Sequence, residues 1–157
     1  MRGFYTAQEG HLIHALPPQD ITGGAVTDRF SMENYAHVSI IILIGASVAA
    51  PTSIILKAAD AATSGTETAV GFSYFAELTS AGDTLASKVT VAATGITSVT
   101  ANDDTMYVIE LDDAELPDGS PWVEIEIAAP ASEIFCSVVA VLSGARFASD
   151  QSATALA

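Results

Sequence analysis

Residues 122–127 read WVEIEI, and this alternation of large apolar and acidic side chains decides the fold class. Successive side chains of a β-strand point to opposite faces, so the pattern is typical of a strand with one buried face. We expect Val123 and Ile125 to face a core, while Glu124 and Glu126 face water. If the rest of the chain repeats this pattern, we expect a fold built mainly from strands with one buried face.

Other stretches of the chain do repeat it, because they combine β-branched and aromatic residues over strand-like lengths. These stretches are residues 35–44 (YAHVSIIILI), 52–58 (TSIILKA), 69–77 (AVGFSYFAE), 87–92 (SKVTVA), 105–111 (TMYVIEL) and 133–147, with a bend near Gly144. Connections rich in Gly, Asn, Asp, Ser and Pro separate them. The pattern predicts an all-β fold, an antiparallel β-sandwich or jelly-roll-like single domain. Its predicted core residues are Val89, Tyr107, Ile109, Val123, Ile125, Val139 and Val141.

Composition and charge exclude several classes of function. The 157 residues are 50% hydrophobic, with 19 acidic and five basic residues and a net charge of −14. Nucleic-acid binding needs clustered Lys and Arg to neutralise phosphates, and anionic membranes attract the same clusters. The five cations are scattered singly, so we expect neither partner. Pro51 interrupts the apolar stretch 38–56, which favours two strands and a turn over a membrane helix.

The N-terminal residues 1–24 differ from the rest because they contain no strand-length alternation. We therefore expect three regions: an extended N-terminal arm at 1–24, a β-sandwich core at 25–149 and a short tail at 150–157. The arm carries apolar side chains and two consecutive prolines that hold the backbone extended. Its predicted partner-binding residues are Phe4, Tyr5, Leu12, Ile13, Pro17 and Pro18. We expect the arm to clasp a second copy or another protein in a ring, with a trimer as the first guess. The alternatives are an edge strand in its own domain and a disordered segment.

Catalytic and metal-binding patterns are not recognisable in the sequence. His11 and His14 are three residues apart, but zinc needs further Cys or His ligands near them. His37 is interpreted as a satisfied polar residue rather than a base. Cys136 lies in an apolar run and is interpreted as a buried small hydrophobe. We expect no enzyme activity, no cofactor and no metal, and we interpret the acidic loop at 112–118 as solvated.

The order of features is nevertheless similar to that of a known class. The run "AVTDRFSMENYAHVSIIILIGA", then "TSIILKAAD", "VGFSYFAE", "MYVIELDDAEL" and "IFCSVVAVLSGARFA" resembles capsid decoration (cement) or small head structural proteins of tailed bacteriophages. The resemblance covers roughly residues 25 to 149. It implies a β-rich homo-oligomer that binds the major capsid protein. Such a protein lies on the capsid exterior of the virion, is assembled in the host bacterial cytoplasm and stabilises contacts between capsid subunits.

Two other classes remain open. One is another phage structural protein, such as a tail, collar or fibre-base protein or a receptor-binding β-sandwich. The other is a carbohydrate- or protein-binding module. A sugar-binding module exposes flat aromatic rings, whereas Phe72, Tyr74, Tyr107 and Phe135 lie inside apolar runs.

Overall fold

Alternating apolar residues build two antiparallel β-sheets that bury a common core. The computed structural model describes residues 5–46, 49–79, 83–99 and 104–146. The predicted all-β class and the sandwich arrangement are confirmed, because both sheets are antiparallel and contribute to one apolar cluster.

The larger sheet has six strands in the spatial order β1-β11-β4-β9-β7-β8. These strands are β1 (His11–Asp20), β4 (Tyr35–Ile44), β7 (Phe72–Glu77), β8 (Val89–Val91), β9 (Thr105–Asp112) and β11 (Phe135–Ala145). The smaller sheet has the order β2-β10-β5-β6, and β3 also pairs with β10. Its strands are β2 (Ala25–Val26), β3 (Phe30–Ser31), β5 (Ile54–Ala59), β6 (Glu67–Val70) and β10 (Trp122–Ile127). A one-turn helix α1 (Thr6–Glu9) precedes β1, and a 3₁₀ turn (Asp113–Glu115) follows β9.

The core lies between the two sheets and is filled by the inward residues of their central strands. Ile40 and Ile42 of β4 and Ile109 of β9 have no exposed surface, and Val123 and Ile125 of β10 meet them from the smaller sheet. Burial of one such side chain contributes about 1.5–3 kcal/mol. The sandwich therefore depends on the strict alternation of inward apolar residues with outward residues in its central strands.

The predicted extended arm at 1–24 is corrected for residues 11–20. They form β1, which pairs antiparallel with β11 from His11 opposite Leu142 to Asp20 opposite Phe135. The register shifts around Leu16, where Ala15 and Leu16 are both buried. Pro17 and Pro18 follow this irregularity in the edge strand, where missing N–H groups are tolerated. The β-sandwich core thus begins before residue 25, and the predicted tail at 150–157 lies outside the described residues.

Three of the predicted core residues do not lie in the core. Val89 is 42% exposed, and Val139 and Val141 of β11 point outward and are half-buried. The buried face of β11 carries Cys136, Val138, Ala140 and Leu142 instead. The phase of this strand was assigned wrongly because residues 138–142 (VVAVL) are apolar on both faces.

Two glycines permit the sharp changes of direction in the chain. Gly71 alone separates β6 of the smaller sheet from β7 of the larger one, and a Cβ there would lie 2.8 Å from the carbonyl oxygen of Val91. Gly144 has φ +65°, a conformation that favours glycine, at the predicted bend in the last strand. No helix in the described residues is long and apolar enough to cross a membrane.

A pair of neighbouring substitutions in β1 tests whether this strand belongs to the core. We expect Ile13→Ala to lower the free energy of unfolding by about 2–4 kcal/mol, because Ile13 is 3% exposed and its removal leaves a cavity. Leu12→Ala is the matched control, since Leu12 is 49% exposed and should cost less than about 1 kcal/mol. Urea unfolding of both variants measures the difference. Equal costs would mean that β1 does not pack as described.

Candidate functional site

The structure separates the residues predicted to bind a partner. Phe4 lies outside the described residues. Tyr5 and Leu12 are 53% and 49% exposed, Pro17 and Pro18 are exposed, and Ile13 is buried in the chain's own core. Ile13 is therefore covered by the chain's own core, whereas Tyr5, Leu12, Pro17 and Pro18 remain exposed. Only Leu12 belongs to a larger apolar surface, which the sequence analysis did not identify.

The two sheets present opposite chemistry on the faces that point away from the core. The outer face of the smaller sheet carries a network of ion pairs. Arg29 Nε lies 2.6 Å from Glu124 Oε2, and Lys57 Nζ lies 2.5 Å from Glu126 and 3.0 Å from Glu67. Glu67 also contacts Arg29 and thereby joins the two cations in one network.

Glu124 was expected to face water, and this prediction is wrong. Its side chain is 6% exposed beneath Arg29, which is itself 11% exposed. The hydrogen bond from Arg29 raises the pKa of that guanidinium, with the charge of Glu124 adding to the effect. The side-chain hydrogen bond to Glu126 likewise raises the pKa of Lys57. Both cations are thus held in the charged state, and together they pair with three carboxylates on the outer face of the smaller sheet.

The outer face of the larger sheet carries a patch of apolar side chains beside polar and charged ones. We call this surface the apolar outer face, and its members come from five adjacent strands. They are Leu12, Ile41, Leu43, Phe75, Met106, Val108, Val139 and Val141.

Register places these side chains side by side rather than scattered. Val139 is opposite Ile41, Ile41 is opposite Val108, and Val108 is opposite Phe75, so one row crosses four strands. In the neighbouring row Leu43 is opposite Met106, and the polar residues Ser137 and Glu77 flank this pair. Directly opposed residues have Cβ atoms about 4.5–5.5 Å apart, which brings their side chains into contact. The surface is therefore continuous.

The exposure of this face is substantial for large apolar residues. Leu43, near the end of β4, is 45% exposed and Leu12 of the edge strand is 49% exposed, while the other members are half-buried by their neighbours. The strands that carry this face are apolar on both sides in the sequence as well, since residues 40–44 and 138–142 are each five apolar residues in succession. Such uninterrupted runs are typical of strands covered on both faces. This signal could have identified the face from the sequence.

One end of the apolar outer face is polar and is organised around His37. Nδ1 of His37 lies 2.7 Å from Asp112 Oδ1, and Nε2 lies 2.7 Å from Glu110 Oε2. The hydroxyl of Ser39 donates to the same Glu110 oxygen at 2.7 Å. These contacts join β4 to β9 at adjacent positions of the ladder. His37 is thus a satisfied polar residue, as the sequence indicated.

Ser39, His37 and Asp112 are arranged in the contact order of a Ser–His–Asp triad. Ser39 Oγ lies 3.4 Å from Nε2 of His37, whose Nδ1 faces Asp112. Glu110 prevents the corresponding chemistry, because a carboxylate accepts hydrogen bonds only. The Nε2 atom that faces Glu110 must carry a proton, so it cannot accept the proton of Ser39. The cluster forms an ionic bridge between strands rather than a nucleophile.

Burial of the imidazole lowers the pKa of His37, but the hydrogen bonds to Asp112 and Glu110 outweigh it, and the pKa is raised overall. A raised pKa in the folded state stabilises the fold at pH values below the unfolded pKa. This contribution is lost as the pH rises through the folded pKa. The bridge therefore strengthens the sheet most under mildly acidic conditions.

The other residues that could take part in catalysis or metal binding make contacts within the fold instead. His11 and His14 lie on opposite faces of β1, where His11 stacks on Tyr35 with ring centroids 5.8 Å apart. Burial raises the pKa of the Cys136 thiol to about 12. Asp113 pairs with Arg146, and Glu115 accepts a hydrogen bond from the backbone N–H of Asp112 at 2.9 Å. Within the described ranges, no three His, Cys, Asp or Glu side chains are grouped so as to hold a metal ion.

Removal of Arg29 tests the charged network on the smaller sheet. We expect Arg29→Met to lower the free energy of unfolding by about 3–5 kcal/mol, because it leaves the buried carboxylate of Glu124 unpaired. The double variant Arg29→Met/Glu124→Leu should recover most of this loss, since it removes both charges. Denaturant unfolding of the two variants checks the expectation. A double variant no more stable than the single one would contradict this account of Glu124.

The His37 bridge predicts a specific pH dependence of stability. Above the ordinary histidine pKa of about 6.5, the free energy of unfolding should fall as the pH rises through the higher folded-state pKa and His37 loses its proton. His37→Gln should flatten this part of the profile, while His14→Gln, at an exposed position of the same face, should leave it unchanged. Chemical denaturation at a series of pH values measures the three profiles. Parallel profiles for the wild type and His37→Gln would show that the bridge is not ionic.

Comparison with known proteins adds little to this geometry. No family model matches the chain, and no curated protein matches it. Among solved structures, the SPBc2 prophage-derived protein YomS is similar with a TM-score of 0.46 and 14% identity, over 85% of this chain and 93% of that one. Chains from infectious bursal disease virus strains Gx and Gt align with TM-scores of 0.26 and 0.23 and identities of 11% and 10%. The alignments cover 85% and 94% of this chain but only 42% and 43% of the viral chains. These TM-scores are too low to support a functional statement.

Proposed function

We propose that this protein is a structural protein of a tailed-bacteriophage virion, with a structural rather than catalytic role. More specifically, we propose a capsid decoration protein on the outside of the head, where it binds the major capsid protein and stabilises contacts between its subunits. The observation that carries the proposal is the apolar outer face. It is a continuous surface on a sandwich whose core is already closed on its other side.

The physical reason is the free energy of leaving such a surface in water. Apolar area removed from water contributes about 25 cal/mol per Å². Contiguous exposed patches of this kind on soluble proteins mark sites of association. A face that reaches across five strands is suited to a broad protein contact rather than to a small ligand. This favours an assembly subunit.

Charge supports a location away from packaged DNA. The chain carries a net charge of −14, and three of its five cations are held by carboxylates in the fold. These cations are Arg29, Lys57 and Arg146. Phosphate binding requires cations that are free to replace counterions, so the described surface favours a protein partner. An exterior position on the head, reached during assembly in the host cytoplasm, is compatible with this balance.

The alternative classes differ in what they need from the surface. A carbohydrate-binding module needs exposed flat rings, but Phe72 and Tyr107 are 1% and 2% exposed. The interpretation of Phe135 as a ring inside an apolar run is wrong, because this ring is 56% exposed. Among the described residues, Phe135 and Tyr5, which is 53% exposed, keep this class open. A tail, collar or fibre-base protein could use an apolar face in the same way as a head protein. Copy number separates these two phage roles.

Quantitative mass spectrometry of purified particles of the phage that encodes this chain tests the proposal. We expect the protein in hundreds of copies per particle and in the head fraction after heads and tails are separated, because a decoration protein follows the capsid lattice. Enrichment in the tail fraction at a few copies would replace the decoration role with a tail role. Absence of the protein from washed particles would overturn the virion assignment altogether.

A further inference from the structure

We propose that one end of the outer face of the larger sheet binds a partner protein through a segment in which an arginine or lysine lies beside an aliphatic side chain. This end lies opposite the His37 bridge along β4. We call it the Phe135 platform, and it consists of Leu43, Gly45, Met106 and Phe135. The platform adds the chemistry of the contact to the proposed function. It rests on that function in one respect, because the protein is taken to act by binding a partner protein.

The platform residues lie together at the ends of three adjacent strands. Phe135 is two positions of the alternation away from Val139 in β11 and shares its outward phase. The N–H of Gly45 donates to the carbonyl oxygen of Phe135 at 2.9 Å, which joins β4 to β11 here. Leu43 is opposite Met106 of β9. Phe135 and Leu43 are 56% and 45% exposed, so a partner that covers them removes apolar area from water.

An open cavity of about 200 Å³ adjoins these side chains, and Leu43, Gly45, Asp104 and Met106 contribute to its lining. Small-molecule sites typically start at ~300 Å³, so this volume suits a single anchoring side chain of a protein. Among the described residues, a Cβ at Gly45 would come closest to Phe135, 3.5 Å from its carbonyl oxygen, which is an ordinary contact. Packing against the described part of the chain therefore does not require glycine here, and the missing side chain leaves the cavity open.

Carboxylates flank the platform on both sides. Asp20 of β1 is opposite Phe135, and Glu77 of β7 is opposite Met106. Asp104 lines the cavity. Within the described ranges, none of the ion pairs includes Asp20, Glu77 or Asp104. An apolar centre between unpaired carboxylates is complementary to an apolar side chain that is flanked by cations.

The exposed ring adds a second attraction for a cation. A cation is attracted to the face of a phenyl ring, and arginine can stack on a ring while it pairs with a carboxylate. Asp20 supplies that carboxylate beside Phe135. The hydroxyl and the backbone N–H of Thr22 donate to Asp20 Oδ1 at 2.7 Å and 2.9 Å, and these hydrogen bonds lower the pKa of Asp20. The carboxylate therefore stays ionised at neutral pH.

The same flanking charges disfavour a second copy of this chain as the occupant. Two copies joined through this end would bring their carboxylates together, and each chain carries a net charge of −14. Like charges in contact across an interface reject a partner. A basic partner gains from the same charges, and this gain should diminish when salt screens them.

Selection from a library of random short peptides on the immobilised full chain tests the proposal. We expect the enriched peptides to contain Arg or Lys next to Leu, Ile, Val or Met. Their affinity, measured by isothermal titration calorimetry, should fall as NaCl rises from ~0.05 M to ~0.5 M.

Phe135→Ser locates the contact on the platform. It should weaken the binding of an enriched peptide by ~10-fold or more, because it removes the exposed ring. Val26→Ser is the matched control, since Val26 is 53% exposed on the smaller sheet, and it should bind the peptide like the wild type.

The double variant Glu77→Gln/Asp104→Asn tests the charges without removing apolar area. It should weaken binding by ~10-fold at low salt and less at high salt. Asparagine suits position 104, because Asp104 has φ +56°, a conformation that asparagine tolerates. Glu33→Gln/Asp118→Asn makes the same change of charge at the other end of the sandwich and should have little effect.

Other outcomes would overturn the inference. Enrichment of acidic or purely apolar peptides, or of none beyond those that Phe135→Ser also binds, excludes a basic partner segment. Binding of neutral oligosaccharides on a glycan array, if Phe135→Ser abolishes it, would assign the platform to a sugar instead. Circular dichroism checks that each variant folds, and the charge variants decide independently if Phe135→Ser does not fold. The copy number in particles is a separate measurement, so a failed selection with the protein present in heads would leave the proposed function intact.

Discussion

The pairing register of β4 between β11 and β9 is the constraint on which the rest of the structure depends. A shift of one residue would exchange the two faces of a strand. Residues 40–44 are apolar on both faces, so hydrophobic alternation alone specifies this register weakly. His37 and Ser39 supply the missing information, because a one-residue shift would bury them. Their contacts with Glu110 and Asp112 hold the observed register across two strands.

The two outer faces differ in whether contacts within the chain cover their side chains. The smaller sheet closes its outer face within the chain, since Arg29 and Lys57 satisfy the carboxylates that alternate with its core residues. The larger sheet has the His37 bridge at one end of its outer face and, beside it, an apolar patch flanked by Ser137 and Glu77. A chain that needed water on both sides would place polar residues at Ile41, Val108 and Val139. Their apolar character is explained if the folded subunit is completed by assembly.

The limits of sequence reasoning have physical causes at particular residues. The strand at 35–44 and the strand at 122–127 were predicted with their observed bounds, because alternation or β-branched runs mark them clearly. β1 was missed because a register shift and Pro17–Pro18 interrupt its period. The partner of Glu124 could not be predicted, since Arg29 is 95 residues away in sequence. The outward phase of Val139 and Val141 was lost because the neighbours on the other face are equally apolar.

The edges of the larger sheet determine which surface remains available for association. An edge strand normally offers free backbone groups to a further strand. In β1 two consecutive prolines and a register shift interrupt that row of donors, and β8 at the opposite edge is three residues long. Both edges are thus poor templates for strand addition, while the face between them is broad and apolar. An association through this face would bury side chains without extending the sheet, because it would leave both edges of the sheet as they are.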